Sequence, residues 1–160
     1  MAAEIERKFL VRDDTWRVSV ATTEPMRQGY LASSPECNVR IRLAGDRAWL
    51  TIKGRTVGAT RPEYEYAIPP AEAAELLERL CLRPQIEKTR HRVPYAGHCF
   101  EVDVFHGANE GLVLCEVELG SEGEVVELPP WLGREVTGDP RYFNARLALR
   151  PYTTWPETEV

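Results

Sequence analysis

Charged residues of one sign recur two positions apart along this chain. Glu4 and Glu6 lead to Lys8, Arg40 stands with Arg42, Arg61 precedes Glu63 and Glu65, and Lys88 precedes Arg90 and Arg92. Glu101 with Asp103 and Glu116 with Glu118 complete the set. Side chains at i and i+2 of a strand share a face, so most of these are short rows of like charge. One such row alone reads as the solvated face of a half-buried sheet. Several together do not, because like charges side by side repel and gain nothing in water. They make sense with something of opposite charge between them. Clustered carboxylates are hard oxygen ligands suited to Mg²⁺ or Mn²⁺, and clustered arginines and lysines suit a run of phosphates. A metal and a polyanion in one site is the arrangement of metal-assisted phosphoryl transfer.

The basic residues add a second signal. Of twenty, seventeen are arginine and only Lys8, Lys53 and Lys88 are lysine. Codon preference is one explanation. All three lysines fall in the strand-like charged stretches, however, and a compact ammonium does what a broad guanidinium fork does not. Arginine at these positions is therefore expected to cost rate, with little effect on stability if the side chains line a solvated cavity.

The elements that must position these rows are mostly strands. Period-two alternation in short runs, separated by Gly, Pro, Asp and Ser, predicts strands over 4–11, 26–32, 38–43, 48–53, 61–68, 85–93, 98–105 and 112–119. Pro69-Pro70 opens the clearest helix, 71–80, with Leu76, Leu77 and Leu80 on one face and Glu72, Glu75 and Glu78 outside. Asp13 or Asp14 caps a possible helix start. Pro129 to Gly133 reads as a turn or helix stub. Asp139-Pro140 starts a final helix to Leu149, with Asp139 as N-cap. Residues 121–128 carry no clear element. The reading is α+β, mainly β: an antiparallel barrel or curled sheet with a few flanking helices. One domain spans 1–150, followed by a frayed tail over 151–160.

Composition narrows the function. The 160 residues are 43% hydrophobic and 28% charged, with a net charge of −5. That balance is ordinary for a folded domain and argues against a general nucleic-acid binder. No run reaches the roughly 18 apolar residues of a membrane helix. The start of the chain is charged at once, so a cytoplasmic location is expected. Cys37, Cys81, Cys99 and Cys115 are scattered and read as reduced, mostly buried thiols. His91, His98 and His106 lack metal spacing.

The ordered segments also resemble a family. Glu4-Ile5-Glu6-Arg7-Lys8-Phe9 matches the E-x-E-x-K start of the CYTH superfamily, the triphosphate tunnel metalloenzymes. The likeness continues through Arg27-Gln28-Gly29-Tyr30-Leu31, Arg40-Ile41-Arg42, Leu50-Thr51-Ile52-Lys53 and Arg61-Pro62-Glu63-Tyr64-Glu65. It ends with Glu87-Lys88-Thr89-Arg90, the run from Phe100 to Phe105, Glu116-Val117-Glu118 and the run from Tyr142 to Leu147. The chain looks most like the short, stand-alone bacterial members that resemble inorganic triphosphatases. The resemblance implies an eight-stranded antiparallel β-barrel forming a tunnel. It implies that Glu4, Glu6, Glu116 and Glu118 converge on Mg²⁺ or Mn²⁺, with Glu63, Glu101 and Asp103 nearby. Lys8, Arg40, Arg42, Lys53, Arg61, Lys88, Arg90 and Arg146 would hold the triphosphate, with Lys88 also catalytic. Tyr30 would take or relay a proton, since surrounding cations favour an ionised phenol. The implied reaction is hydrolysis of tripolyphosphate to pyrophosphate and phosphate, with a homodimer possible. Thiamine-triphosphatase, class IV adenylyl cyclase and a non-catalytic binder of polyphosphate or nucleotide are the alternatives.

Overall fold

In the computed structural model, which describes residues 3–156, the alternating runs close on themselves. The strands are β1 (Ala3–Val11), β2 (Thr22–Ser33), β3 (Cys37–Ala44), β4 (Arg47–Gly54) and β5 (Thr60–Ala67), then helix α1 (Pro70–Arg79). There follow β6 (Ile86–Tyr95), β7 (His98–His106), β8 (Val113–Glu118), β9 (Leu132–Glu135) and helix α2 (Asn144–Leu149). All pairings are antiparallel, in the order β5-β4-β3-β2-β6-β7-β8-β1-β9, and β5 also pairs with β1. That last pairing, over Ala3–Ile5 against Thr60–Pro62, closes an eight-stranded barrel. Beyond it β1 leaves β5 and takes β9 as its neighbour.

The apolar residues of this barrel lie largely on its outside. Phe9, Val93, Phe100, Val102, Cys115 and Val117 pack outward under Trp16, Trp131 and Leu132. On the opposite flank α1 covers Ile41 and Ala48 with Ala73 and Leu77. Its fit explains Gly29, where a Cβ would stand 2.9 Å from Cys81 Cβ and 3.1 Å from Leu77 Cδ2. A third cluster plugs one end of the barrel: Ile86, Phe105 and Leu114 against Tyr142 and Leu147.

Four expectations need correcting. Leu132–Glu135 is a strand, because β1 has a free edge once it diverges from β5. The final helix is broken: a 3-10 turn over Pro140–Tyr142 is followed by extended Phe143 before α2 begins. Asp139 does cap, accepting the N–H of Arg141. The tail is not frayed through Trp155, which is buried edge-on against Tyr142, and residues 157–160 lie outside those described. Finally, Cys81 and Cys115 are buried but Cys37 and Cys99 are exposed. No helix is long and apolar enough to cross a membrane among the described residues.

Candidate active site

Pairing register brings the charged rows together. Glu6 lies opposite Glu118 and Lys8 opposite Glu116 across β1 and β8. Glu101 faces Glu116 across β7 and β8, and Arg90 faces Asp103 across β6 and β7. On the other wall Gln28 and Tyr30 face Arg42 and Arg40, while Lys53 stands between Asn38 and Glu63. At the closing seam Glu4 faces Arg61. Residues directly opposite share a face, so every row points inward. They enclose a cavity of about 340 Å³ lined by Glu4, Glu6, Lys8, Tyr30, Arg40, Arg42, Lys53, Arg61, Glu63, Lys88, Arg90, Glu101, Glu116 and Glu118. Of the candidates from sequence, only Asp103 and Arg146 do not line it.

One side of the cavity is acidic. Lys53 Nζ donates to Glu4 Oε1 at 2.7 Å, and Lys8 Nζ stands 3.5 Å from Glu116 while donating to the Tyr142 carbonyl at 3.1 Å. Burial opposes ionisation of Glu4 and Glu116, but the ammonium groups prevail and hold both below the usual carboxylate range: Lys53 for Glu4, Lys8 first for Glu116. At Glu6 the same two lysines are outweighed. Burial, then the charges of Glu116 and Glu4, push it up to about 8. Burial and a hydrogen bond with Glu4 raise Glu63 to about 7. Among the described residues no three acidic, His or Cys side chains are gathered closely enough to hold a metal ion. Glu4 and Glu116 lie against Lys53 and Lys8. The donor set nonetheless fits a divalent cation. It is all hard oxygen, and the crowding that holds Glu6 near 8 is what a cation among these side chains relieves.

The other side is basic and under-compensated. Asp103, fully buried, takes the fork of Arg90 at 2.8 and 2.9 Å and the Lys88 ammonium at 2.8 Å. Burial works against its charge, yet Arg90 and Lys88 bring it down to about 2. Asp103 is thus a counter-ion of the basic wall, not a neighbour of the carboxylate group. Arg90 also reaches Glu101 at 3.5 Å. Burial, against the pull of Asp103, lowers Lys88 to about 7, and burial with the nearby Arg40 and Arg90 charges lowers Arg42 to about 9. Arg40 donates to Thr51 Oγ1 at 3.3 Å, while its buried Nε has no partner. Tyr30 runs against expectation. Burial outweighs Arg40, Arg42, Lys8 and Arg61, and the phenol is raised above its ordinary value. It stays protonated, a hydrogen-bond donor and not a ready base.

Arg61 is fixed at the cavity mouth by the Gly54 carbonyl, and Phe143 presents its ring to Lys8 at 5.5 Å and to Arg61 at 5.8 Å. Arg146 points elsewhere. It is exposed and lines a second cavity of about 760 Å³ that adjoins the first at Asn38, Arg61 and Phe143. Its helix neighbours Asn144 and Ala145 line the first cavity, whereas Arg146 does not. Sequence reasoning missed the neutral residues Gln28, Asn38, Thr51 and Asn144. Inward parity with Tyr30 signals Gln28, and parity with Arg40 signals Asn38.

Comparison with known proteins agrees with this geometry. The CYTH domain family matches residues 2–152. A protein of Acetivibrio thermocellus named inorganic triphosphatase is 48% identical over 157 residues, covering 98% of this chain and 100% of its own. Another of that name from Nitrosomonas europaea is 40% identical over 151 residues, covering 91% and 97%. A crystal structure described as an inorganic triphosphatase superposes with a TM-score of 0.67 at 37% identity, covering 93% of this chain and 96% of that one. A closed eight-stranded barrel whose charged rows face inward, matched along nearly its whole length, places this chain in the CYTH domain family.

Proposed function

We propose that this protein is a metal-dependent triphosphatase that hydrolyses inorganic tripolyphosphate to pyrophosphate and phosphate. One observation carries the reading. A single enclosed tunnel sets carboxylates from β1 and β8 against cations from β3 and β6, and those cations are only partly neutralised. Both relatives and the matched crystal structure bear the name inorganic triphosphatase. Arg40, Arg42, Lys88 and Arg90 would take the phosphates at one end of the chain, Lys8, Lys53 and Arg61 those nearer the acids. This aligns the scissile P–O–P link. Glu4, Glu6, Glu116 and Glu118 would hold Mg²⁺ or Mn²⁺, with Glu63 and Glu101 alongside. When bound, such an ion neutralises phosphate oxygens and makes a coordinated water more acidic. Attack of a water oxygen on the terminal phosphorus would break the bridging P–O bond, the proton lost by the water passing to the phosphate products or to solvent. Lys88 stabilises charge on the departing oxygen, and Tyr30 donates to a phosphate oxygen.

A panel of tripolyphosphate, thiamine triphosphate and ATP, each with Mg²⁺, Mn²⁺ or EDTA, tests this. Tripolyphosphate turnover that stops in EDTA and returns with either metal is expected, with pyrophosphate and phosphate in equal amounts. Full activity in chelator removes the metal from the mechanism. Preferred turnover of thiamine triphosphate, or a cyclic product from ATP, reassigns the substrate. Tight tripolyphosphate binding without turnover makes the protein a binder.

A further inference from the structure

Arg42 is the cation whose restraint is unusual. It lies in the tunnel wall among Arg40, Lys88 and Arg90, yet makes no ion pair among the described residues. Its Nε donates instead to Gln28 Oε1 at 2.9 Å. Gln28 is wholly buried, and its Nε2 donates to Asn144 Oδ1 at 2.9 Å. The same Oδ1 accepts from Lys88 Nζ at 3.0 Å. Arg42 and Lys88 are thus the two ends of one hydrogen-bonded chain running through two side-chain amides. A guanidinium and an ammonium only donate, so each end must meet a carbonyl oxygen. Both amides are therefore locked in one orientation, and the Asn144 amino group is left as that side chain's spare donor beside the cavity.

We propose that Gln28 and Asn144 are positioning residues for the triphosphate: their uncharged bridge fixes Arg42 and Lys88 relative to each other while leaving positive charge for the substrate. The alternative restraint is already present on this wall. Asp103 holds Arg90 and Lys88 with a full negative charge, and a second carboxylate beside Arg42 would cancel the charge that attracts phosphate. An amide oxygen satisfies the half-buried guanidinium without that cancellation. Because Gln28 comes from β2, Asn144 from α2, Arg42 from β3 and Lys88 from β6, the bridge also ties the closing helix to both basic strands.

This inference rests on the tripolyphosphate reading, and three variants separate the two. Asn144→Asp keeps shape and both accepted hydrogen bonds and puts a carboxylate beside Lys88. Gln28→Glu gives Arg42 a carboxylate but loses the N–H donated to Asn144. Gln28→Met keeps length and removes the amide. Metal-free tripolyphosphate binding is measured by calorimetry, with steady-state KM and kcat in Mg²⁺ and thermal midpoints. Asn144→Asp, which keeps both hydrogen bonds that Asn144 Oδ1 accepts, is expected to melt no lower than wild type, yet to bind tripolyphosphate at least tenfold more weakly. Its KM should rise more than its kcat falls, the mark of lost ground-state binding. Gln28→Glu is expected to weaken binding at least as much and to melt lower, since it also breaks the bond to Asn144, so Asn144→Asp suffices should it fold poorly. Gln28→Met is expected to lose both affinity and kcat. Charge-adding variants that bind within twofold of wild type overturn the proposal, as does a fall in thermal midpoint with affinity unchanged. Wild-type protein that neither binds nor cleaves tripolyphosphate overturns the reading beneath it instead.

Discussion

Lys88→Arg separates the geometry of this tunnel from its charge. The change keeps the cation, but the site has no space for a guanidinium. The Lys88 side chain is 0% exposed, and its ammonium sits 2.8 Å from Asp103 and 3.0 Å from Asn144. Both oxygens of Asp103 already carry the Arg90 fork at 2.8 and 2.9 Å. A second fork therefore finds no open edge on that carboxylate and must swing into the cavity. Displacing the phosphate chain by about 1 Å costs roughly a hundredfold in rate, or about 2.7 kcal/mol of transition-state stabilisation. The sequence alone suggested that stability would be untouched. Full burial of Lys88 changes that, because overpacking costs about 1–3 kcal/mol, roughly 2–12 °C in thermal midpoint for a chain of this length. Lys53→Arg is the contrast. Lys53 is 12% exposed on the open side of the cavity, so its rate should fall while its midpoint holds. Exposed Arg12→Lys is the control and should change neither. Tripolyphosphate kcat/KM under saturating Mg²⁺, read with melting curves, decides the matter. Lys88→Arg within threefold of wild type refutes the steric argument.

The acidic side makes metal binding pH-dependent. Glu6, held up to about 8 by burial and by Glu116 and Glu4, must lose its proton to bind a cation. Metal affinity should therefore rise roughly tenfold per pH unit up to about 8, with proton release visible by calorimetry in buffers of different ionisation enthalpy; a dissociation constant flat from pH 6 to 8 contradicts this. The same raised value means that the folded chain keeps a proton the unfolded chain loses. Metal-free stability should thus decline as pH rises from about 4.5 towards 8, read by denaturant midpoints. Asp103→Asn strands Arg90 and Lys88 in the interior, and breaking a buried pair costs about 3–5 kcal/mol, a loss that thermal melts should register. Gly29→Ala drives a Cβ to 2.9 Å from Cys81 Cβ, just beyond α1, and 3.1 Å from Leu77 Cδ2 within it, and these packed atoms cannot readily yield. A loss of about 1–3 kcal/mol is expected, with KM for tripolyphosphate unchanged.

Alternation was legible wherever a strand has one apolar and one charged side, so the eight barrel strands could be read from the chain. Closure could not. It depends on three residue pairs between β1 and β5, which carry no special composition. β9 was hidden for a related reason: Leu132 to Glu135 follows two prolines, and only the free edge of β1 makes it a strand. In the site, like-signed rows marked the cavity wall, because inward parity is a local property. Register is not local. Asp103 sits in an acidic row with Glu101, yet its partner across β6 is Arg90, which gives it to the basic wall. Neighbouring cations suggested an acidic Tyr30 phenol, but burial, which spacing cannot report, reverses the sign. Gln28 and Asn144 carry no charge and so fall outside any search for charged rows.

The pairing within the tunnel bears on how one site takes ligands of both signs. Lys53 with Glu4 and Lys8 with Glu116 are internal ion pairs, and the ammonium of each holds its carboxylate in the charged form. On the triphosphatase reading, both partners have a better use. The carboxylates suit a divalent cation and the ammonium groups suit phosphate oxygens. Breaking either pair for one ligand alone leaves a charge uncompensated in a low-dielectric cavity, and that penalty is large. Breaking it for both ligands at once leaves none. On the basic wall Asp103 restrains Lys88 and Arg90, but Arg42 answers only to an amide and Arg40 only to Thr51 and, at 3.9 Å, to Glu65. On the same reading phosphate would find its first foothold at Arg40 and Arg42. On that reading the lysine pairs would yield only when cation and polyanion are both present, which would couple occupancy of the acidic side to occupancy of the basic one.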